Sequence, residues 1–329
     1  MSGCQAGRLG RRGILAAGGL LAAPRALQAQ ADAWPSRPLR FIVPYGAGNQ
    51  ADQVARVLAD ALATRWNQRV VVENLAGAGG AIGVAQIARA VPDGYTLGLI
   101  AIAALAITPH MQPTPYDPLV DLLPLASVTL SRSALAVHPS LPTTLADFVA
   151  LARGRRAEPF FYCSPGNGTI PHLNMEILAR ALDFPATHAP YRTAAAGTAD
   201  LVAGRVQMSL DGSTVTLPHI QAGRLHAIFA TGAQRLPQLP EVPALAELAP
   251  GIDLPNAWQS LHGPRGFPAE IAAKVAADVA ALVADPGFVR RLPQGSDPLA
   301  LTREATAAQI RADHARFGTL VRELGLRSG

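Results

Sequence analysis

Cysteine is nearly absent from this chain. Two occur in 329 residues, Cys4 and Cys163, and only Cys163 lies beyond the first thirty-odd positions. One cysteine closes no internal disulfide and builds no cysteine zinc cluster. Placed after Phe160-Phe161-Tyr162, it reads as a buried strand residue rather than a nucleophile. Aromatics are scarce, at 5%. No run supplies the roughly 20 apolar residues that a membrane span needs. Ile14 to Ala23 is too short, and Leu97 to Ile107 is broken up by Gly and Ala. The sequence has no G-x-S-x-G elbow and no His/Asp/Glu set at metal-ligand spacing. No metal and no cofactor is expected.

An excess of either charge is also missing. The formal net charge is +5, but Arg8, Arg11, Arg12 and Arg25 fall in the first 31 residues, which hold no acid. Beyond them 24 basic residues face 23 acidic ones, a net of +1. A balanced chain with few aromatics carries no electrostatic footprint for nucleic acid.

What the first residues do contain is an export address. Arg8, Arg11 and Arg12 form a positive n-region, Ile14 to Ala23 a short apolar run, and Ala29-Gln30-Ala31 a small-residue cleavage site. Residues 1–31 therefore read as a bacterial signal peptide, cleaved near Ala31, that delivers the rest to the periplasm. An uncleaved anchor is the competing reading. Arg11-Arg12 leaves twin-arginine and general secretion both open. Cys4 precedes the apolar run, so it does not fit lipid attachment. The roughly 300 residues that remain suit two domains with substantial cores.

Strand-like and helix-like segments alternate, which predicts an α/β protein with mainly parallel sheets flanked by helices. Leu39–Val43, Val70–Glu73, Tyr95–Ile102, Val128–Leu130, Leu135–Val137, Phe160–Cys163, Val206–Asp211 and Leu225–Ala230 read as strands. The stretch from Val54 to Leu62, then Ala81 to about Ala90, Thr144–Arg153, Pro171–Leu182, Ala194–Ala203, Ala269–Ala284 and about Arg303–Leu324 read as helices. Pro237 to Pro255 is a proline-rich surface crossing. One economical arrangement returns the C-terminal block to the first domain. Lobe 1 is then 32–132 plus 236–329, and lobe 2 is an inserted 133–235.

Two junctions carry the chemistry. Leu39–Val43 runs into Tyr45-Gly46-Ala47-Gly48-Asn49 and then a helix. Phe160–Cys163 runs into Ser164-Pro165-Gly166-Asn167-Gly168-Thr169, with Pro171 opening a helix and Thr169 as its N-cap. Helix N-termini present unpaired N–H groups and the positive end of the dipole. One such loop on each lobe would clasp an anion in the cleft between them; alternatively, the Gly and Asn residues serve only the turns. His172 falls in the first helical turn, lining the cleft or capping. Asp211, at a strand end, could bond a ligand or cap a neighbouring loop. Arg192, after Tyr191, could complement an anion or be an ordinary surface residue.

Other constellations are weaker. Gly77-x-Gly79 lacks the acidic residue that a dinucleotide fold places at the next strand's end. Ser164, His172, His188 and Asp211 could be assembled into a triad, as a chain of this length often permits.

Eight motifs in order carry a resemblance from about Trp34 to Gly325. They are WPSRPLRFIVPYGAG, VVVENLAGAGGAIG, PDGYTL, ITPHM, SPGNGTIPHL, HAPYRTAAAGTADLVAGRVQMSLD, LPHIQAGRLHAI and LPEVPALAE. The chain resembles the Bug-family solute-binding proteins of tripartite tricarboxylate transporters. The resemblance implies a two-lobed, type II-like periplasmic binding protein, a monomer that closes on a small organic acid and delivers it to membrane permease subunits. It implies ligand contacts from Tyr45, Gly46, Ala47, Gly48 and Asn49, and from Ser164, Asn167, Gly168 and Thr169. It places Ala103 and Ala104 on a pocket loop and Asp211 near the pocket floor, with His172 and Tyr191 completing the set. Alanines stand where the family often carries hydroxyl or amide residues, which favours an apolar or aromatic acid over citrate. The rival readings are a secreted hydrolase using Ser164 or Cys163, and an orphan ligand sensor.

Overall fold

Leu39–Val43 is buried at four of its five positions and forms β1, a central strand. The computed structural model describes residues 34–326; the signal peptide expected over 1–31 and its expected cleavage near Ala31 lie outside them. Contacts divide the chain into Met1–Trp34 and Pro35–Gly329, and the second unit is described here.

After β1 come α1 (Gln50–Trp66), β2 (Val70–Asn74), α2 (Ala81–Ala88), β3 (Thr96–Ala101), two short helices α3 (Ile102–Ala106) and α4 (Thr108–Met111), and β4 (Leu122–Ser131). Helix α1 places Val54, Leu58 and Leu62 inward and stops at Asn67, which takes the left-handed conformation that closes helices. Arg132 alone separates β4 from β5 (Ser133–Val137). There follow α5 (Leu145–Arg153), β6 (Phe160–Ser164), α6 (Ile170–Ala181), β7 (Ala186–Pro190), α7 (Ala194–Val202), β8 (Met208–Gly212), α8 (Ser213–Gln221) and β9 (His226–Ala230). The chain ends with α9 (Leu245–Leu248), β10 (Ala257–Pro264), α10 (Ala269–Ala284), α11 (Pro286–Val289), β11 (Ser296–Pro298) and α12 (Arg303–Glu323).

The strands build two sheets, ordered β11-β4-β10-β3-β1-β2 and β7-β6-β8-β5-β9, giving a two-lobed α/β fold. The expectation of mainly parallel sheets needs correction. Pairing is parallel in β2-β1-β3 and β7-β6-β8, where helices connect successive strands. It is antiparallel wherever β4, β5, β9, β10 or β11 takes part. Both sheets are mixed: in the first, β10 and β11 enter from the C-terminal part of the chain, and in the second β5 runs antiparallel to both its neighbours, β8 and β9.

Periodicity misses three strands, β7, β11 and the longest of them, β10, which lies between β3 and β4. Gln259, Ser260 and His262 are buried in it, and a polar stretch preceded by prolines does not present an apolar run. Helix α8 was missed for a similar reason: it carries Pro218.

The sheets are tied at several points. Ile170 and Leu173 of α6 share one apolar cluster with Ile107, Trp258 and Phe317. Asn174 Nδ2 donates to the Pro255 carbonyl at 3.0 Å, and Arg132 Nη2 lies 2.8 Å from Asp297 Oδ2. Among the described residues no helix is long and apolar enough to cross a membrane.

Candidate functional site

The first loop joins β1 to α1. Asn49 caps the helix, its Oδ1 accepting the Asp52 N–H at 2.9 Å. Asp52, buried, reaches back and accepts the Gly48 N–H at 2.8 Å. Arg56 lies 2.9 Å from the same carboxylate. Asn74 Nδ2 donates to it at 2.9 Å and to the Tyr45 carbonyl at 3.1 Å. Burial alone would raise the Asp52 pKa, but Arg56, the Gly48 amide and Asn74 outweigh it and hold it below the ordinary carboxylate value. The loop is thus fixed before any ligand arrives. Gly48 has φ +82°, which glycine adopts without strain. Gly46, Ala47 and Gly48 are exposed, and Asn49 is half-buried.

The Gly48 amide is therefore already paired. The donors that helix geometry leaves without an intrahelical partner are those of Gln50 and Ala51. The Gln50 side chain donates to the hydroxyls of Ser131 and Ser296, anchoring the helix start to β4 and β11. A Cβ built on Gly212 would lie 3.7 Å from Gln50 Oε1. This brings the first loop to the β8–α8 junction, where Asp211 stands.

The second loop joins β6 to α6. Ser164 is buried; its Oγ lies 2.6 Å from His188 Nε2 and 3.1 Å from the Gly166 N–H. Thr169 Oγ1 donates to the Gly166 carbonyl at 2.8 Å. Gly168 (φ +72°) donates its N–H to His172 Nδ1 at 3.1 Å, so this amide too is occupied. Pro171 has none, and the orphan donors of α6 are those of Ile170 and His172. Asn167 is exposed and Thr169 half-buried.

The loops connect through α3 and α4. A Cβ on Gly168 would sit 2.5 Å from Met111 Sδ and 3.7 Å from Ile107 Cγ2. Ile107, Ala104 and Ile170 belong to one apolar cluster, with Tyr45, Ala103 and Met111 packed against it. Ala103 and Ala104, expected on a loop, lie in α3. Ala104 is fully buried and Ala103 partly exposed. The Tyr45 hydroxyl is buried near Ala104 but, among the described residues, outside hydrogen-bond geometry with any group; burial raises its pKa, and the Ala104 backbone only partly offsets this.

Asp211 is buried, and its Oδ1 accepts the Gly212 N–H. Burial pushes its pKa up to about 6 against this single favourable amide. The Tyr191 hydroxyl donates to Asp200 at 2.7 Å. Its backbone N–H donates to the Ser164 carbonyl at 2.9 Å, so Tyr191 supports the second loop through its main chain. Cys163 is buried, and burial raises its thiol to about 11, an unreactive value at neutral pH.

The structure therefore brings Tyr45, Ala103, Ala104 and the start of α6 to one cluster, and Asp211 to the start of α1. The structure adds Asp52, Gln50 and Met111, which the sequence did not single out, and gives His188, considered from the sequence only as a triad member, a contact with Ser164. Of the three added, only Asp52 had a local signal, an acid in a first turn three residues after Asn49. Two cavities of about 390 and 290 Å³ lie elsewhere, the first beside Arg156 and Arg180, the second beside Trp258 and Asp313. Neither is lined by the loops; of the loop glycines Gly46 and Gly48 face solvent, Gly166 is half-buried and Gly168 is buried.

The family described as tripartite tricarboxylate transporter family receptor matches residues 54–326. The chain belongs to this family. Its receptors are periplasmic binding proteins that work with a membrane transporter; it is not an enzyme family. One similar relative is the "UPF0065 protein in tcbD-tcbE intergenic region" of Pseudomonas sp. strain P51, 33% identical over 327 residues, covering 97% of this chain and 96% of that protein. Among solved structures, R. palustris Rpa4515 with adipate has a TM-score of 0.83 at 29% identity, covering 89% of this chain and 99% of that one. The periplasmic binding protein BugD has a TM-score of 0.81 at 29% identity, covering 90% and 100%.

Proposed function

We propose that this receptor captures a small carboxylate-bearing acid between its two lobes and hands it to the membrane permease of a tripartite transporter. The observation that carries the reading is the pair of pre-fixed loops, each at the start of a helix of a dozen or more residues and neither containing a cation. Such a site suits an anion held by main-chain donors. The similar structure with adipate supports the same ligand chemistry. Ligand bridging the loops would shift the population toward a closed form that the permease recognises. In this reading lobe 1 is 32–132 plus 236–329 and lobe 2 is 133–235. The leader is cleaved near Ala31, and the mature protein is a monomer.

Calorimetry with adipate and a panel of aromatic and polycarboxylic acids tests it. One-to-one binding with the acid recovered unchanged is the expected result; absence of binding across the panel overturns it. The hydrolase alternative has one geometric point in its favour, the Ser164–His188 contact. Among the described residues, however, Asp211 bonds the Gly212 amide rather than either imidazole, and Ser164 also engages Gly166. Ester turnover that disappears in Ser164→Ala would favour the hydrolase.

A further inference from the structure

The second loop is held by two imidazole side chains, those of His172 and His188, whereas the proposed main-chain binding draws on the backbone donors at the start of α6. His172 on α6 and His188 on β7 stack face to face, their ring centres 4.1 Å apart and their planes 10° apart. His172 Nδ1 accepts the Gly168 amide, and His188 Nε2 meets Ser164 Oγ. The two contacts grip the two ends of the loop. Tyr162 on β6 continues the column, 4.8 Å from His188. Its hydroxyl donates to Glu176 on α6. Tyr162 and Glu176 are the other titratable groups facing the pair among the described residues.

We infer that His172 is a positioning residue for the proposed ligand loop and that its unprotonated Nδ1 holds the Gly168 amide in place. The inference rests on the second loop contacting the ligand. A proton on Nδ1 removes the acceptor, so the Gly168 N–H must let go. Two face-to-face imidazolium rings also repel, so a second proton meets more resistance than the first. Burial lowers both histidines to about 4, with the His172 charge a further cause at His188 and Glu176 opposing it. The loop is accordingly locked at neutral pH and loosens in acid.

The test uses the mature full chain, adipate as probe, and the variants His172→Asn and His172→Phe. Asn offers an acceptor oxygen that does not titrate at these pH values. Phe preserves the stack without an acceptor. The first measurement needs no ligand: nitrogen–proton spectra follow the imidazole nitrogens and the Gly168 amide from about pH 8 to about pH 4. Expected is an unprotonated His172 Nδ1 at neutral pH, with the Gly168 signal shifting in step with its protonation. In His172→Asn the Gly168 signal stays put. The second measurement is adipate affinity relative to wild type at each pH, so that titration of the acid cancels. His172→Asn should stay within about threefold of wild type at pH 7 and bind more tightly than it below about pH 5, while His172→Phe should be about tenfold weaker at pH 7. A Gly168 signal that ignores His172 protonation, or full affinity in His172→Phe, overturns the inference. Should adipate fail to bind wild type, that counts against the ligand class, and the spectra alone decide the role of His172.

Discussion

The Asp52 carboxylate accepts the Gly48 amide at 2.8 Å, closing the first loop onto the helix that follows it. One acid thereby joins the loop to Arg56 and Asn74 and fixes which backbone donors remain for a ligand. The second loop is closed by a histidine instead, at the equivalent step from strand to helix.

Asp52→Ala leaves Arg56, Asn74 and the Gly48 N–H without their shared acceptor. The expected loss is about 3 kcal/mol in chemical denaturation at pH 7. Because the folded carboxyl lies below its ordinary value of 3.8, its stabilisation is complete above that value and disappears as pH falls through the lower folded one. The difference between wild type and Asp52→Ala should therefore shrink in strong acid. A difference that is constant with pH would refute the ionic part of the account.

Gly168→Ala meets two obstacles: φ of +72° and a methyl 2.5 Å from Met111 Sδ. Together they should cost about 2–3 kcal/mol. Adding Met111→Ala relieves the clash but not the backbone strain, so the double variant should fall short of Met111→Ala alone by about 1 kcal/mol. Melting curves of the three variants check both components. If Gly168→Ala melts with wild type, the approach of α4 to the second loop is wrong.

Asp211 works in the opposite direction from Asp52. Its folded pKa of about 6 lies above the ordinary 3.8, so the buried charge is a penalty that is absent below the ordinary value and complete above pH 6. Asp211→Asn should therefore stabilise the ligand-free protein by about 2–3 kcal/mol at pH 8 and leave it unchanged near pH 3. Denaturation at the two pH values provides the comparison. No gain at pH 8 would mean that the carboxylate has a compensating partner.

Ala103 is partly exposed and packs, like Tyr45, against the apolar cluster, whereas Ala104 is fully buried. Ala103→Ser adds one hydroxyl to the apolar side of the proposed pocket. Relative affinity should move toward hydroxylated acids by a few-fold, about 1 kcal/mol, with stability nearly unchanged. Thermal shift with adipate and citrate on both proteins measures it. Equal shifts for both acids before and after substitution would remove Ala103 from the pocket wall.

Much of the fold was legible locally. Leu39–Val43, Ala81–Ala88, Phe160–Ser164 and Ala269–Ala284 carry their own periodicity and form the expected elements. Buried polar positions hid β10, where Gln259, Ser260 and His262 stand. The family resemblance put Ala103 and Ala104 on a loop, whereas the strand before them runs straight into α3.

Composition and order of residues by themselves determined the α/β class and the two strand–loop–helix junctions, because each follows from local spacing. Only the folded molecule decided which amides those junctions leave open. Gly48 and Gly168 looked like the donors, yet Asp52 and His172 occupy them, and His188, 24 residues from Ser164, completes the second loop. Hydrogen-bond partners distant in sequence, or one helical turn onward, are chosen by packing geometry; a linear pattern shows where donors stand, and only packing shows which of them are already taken.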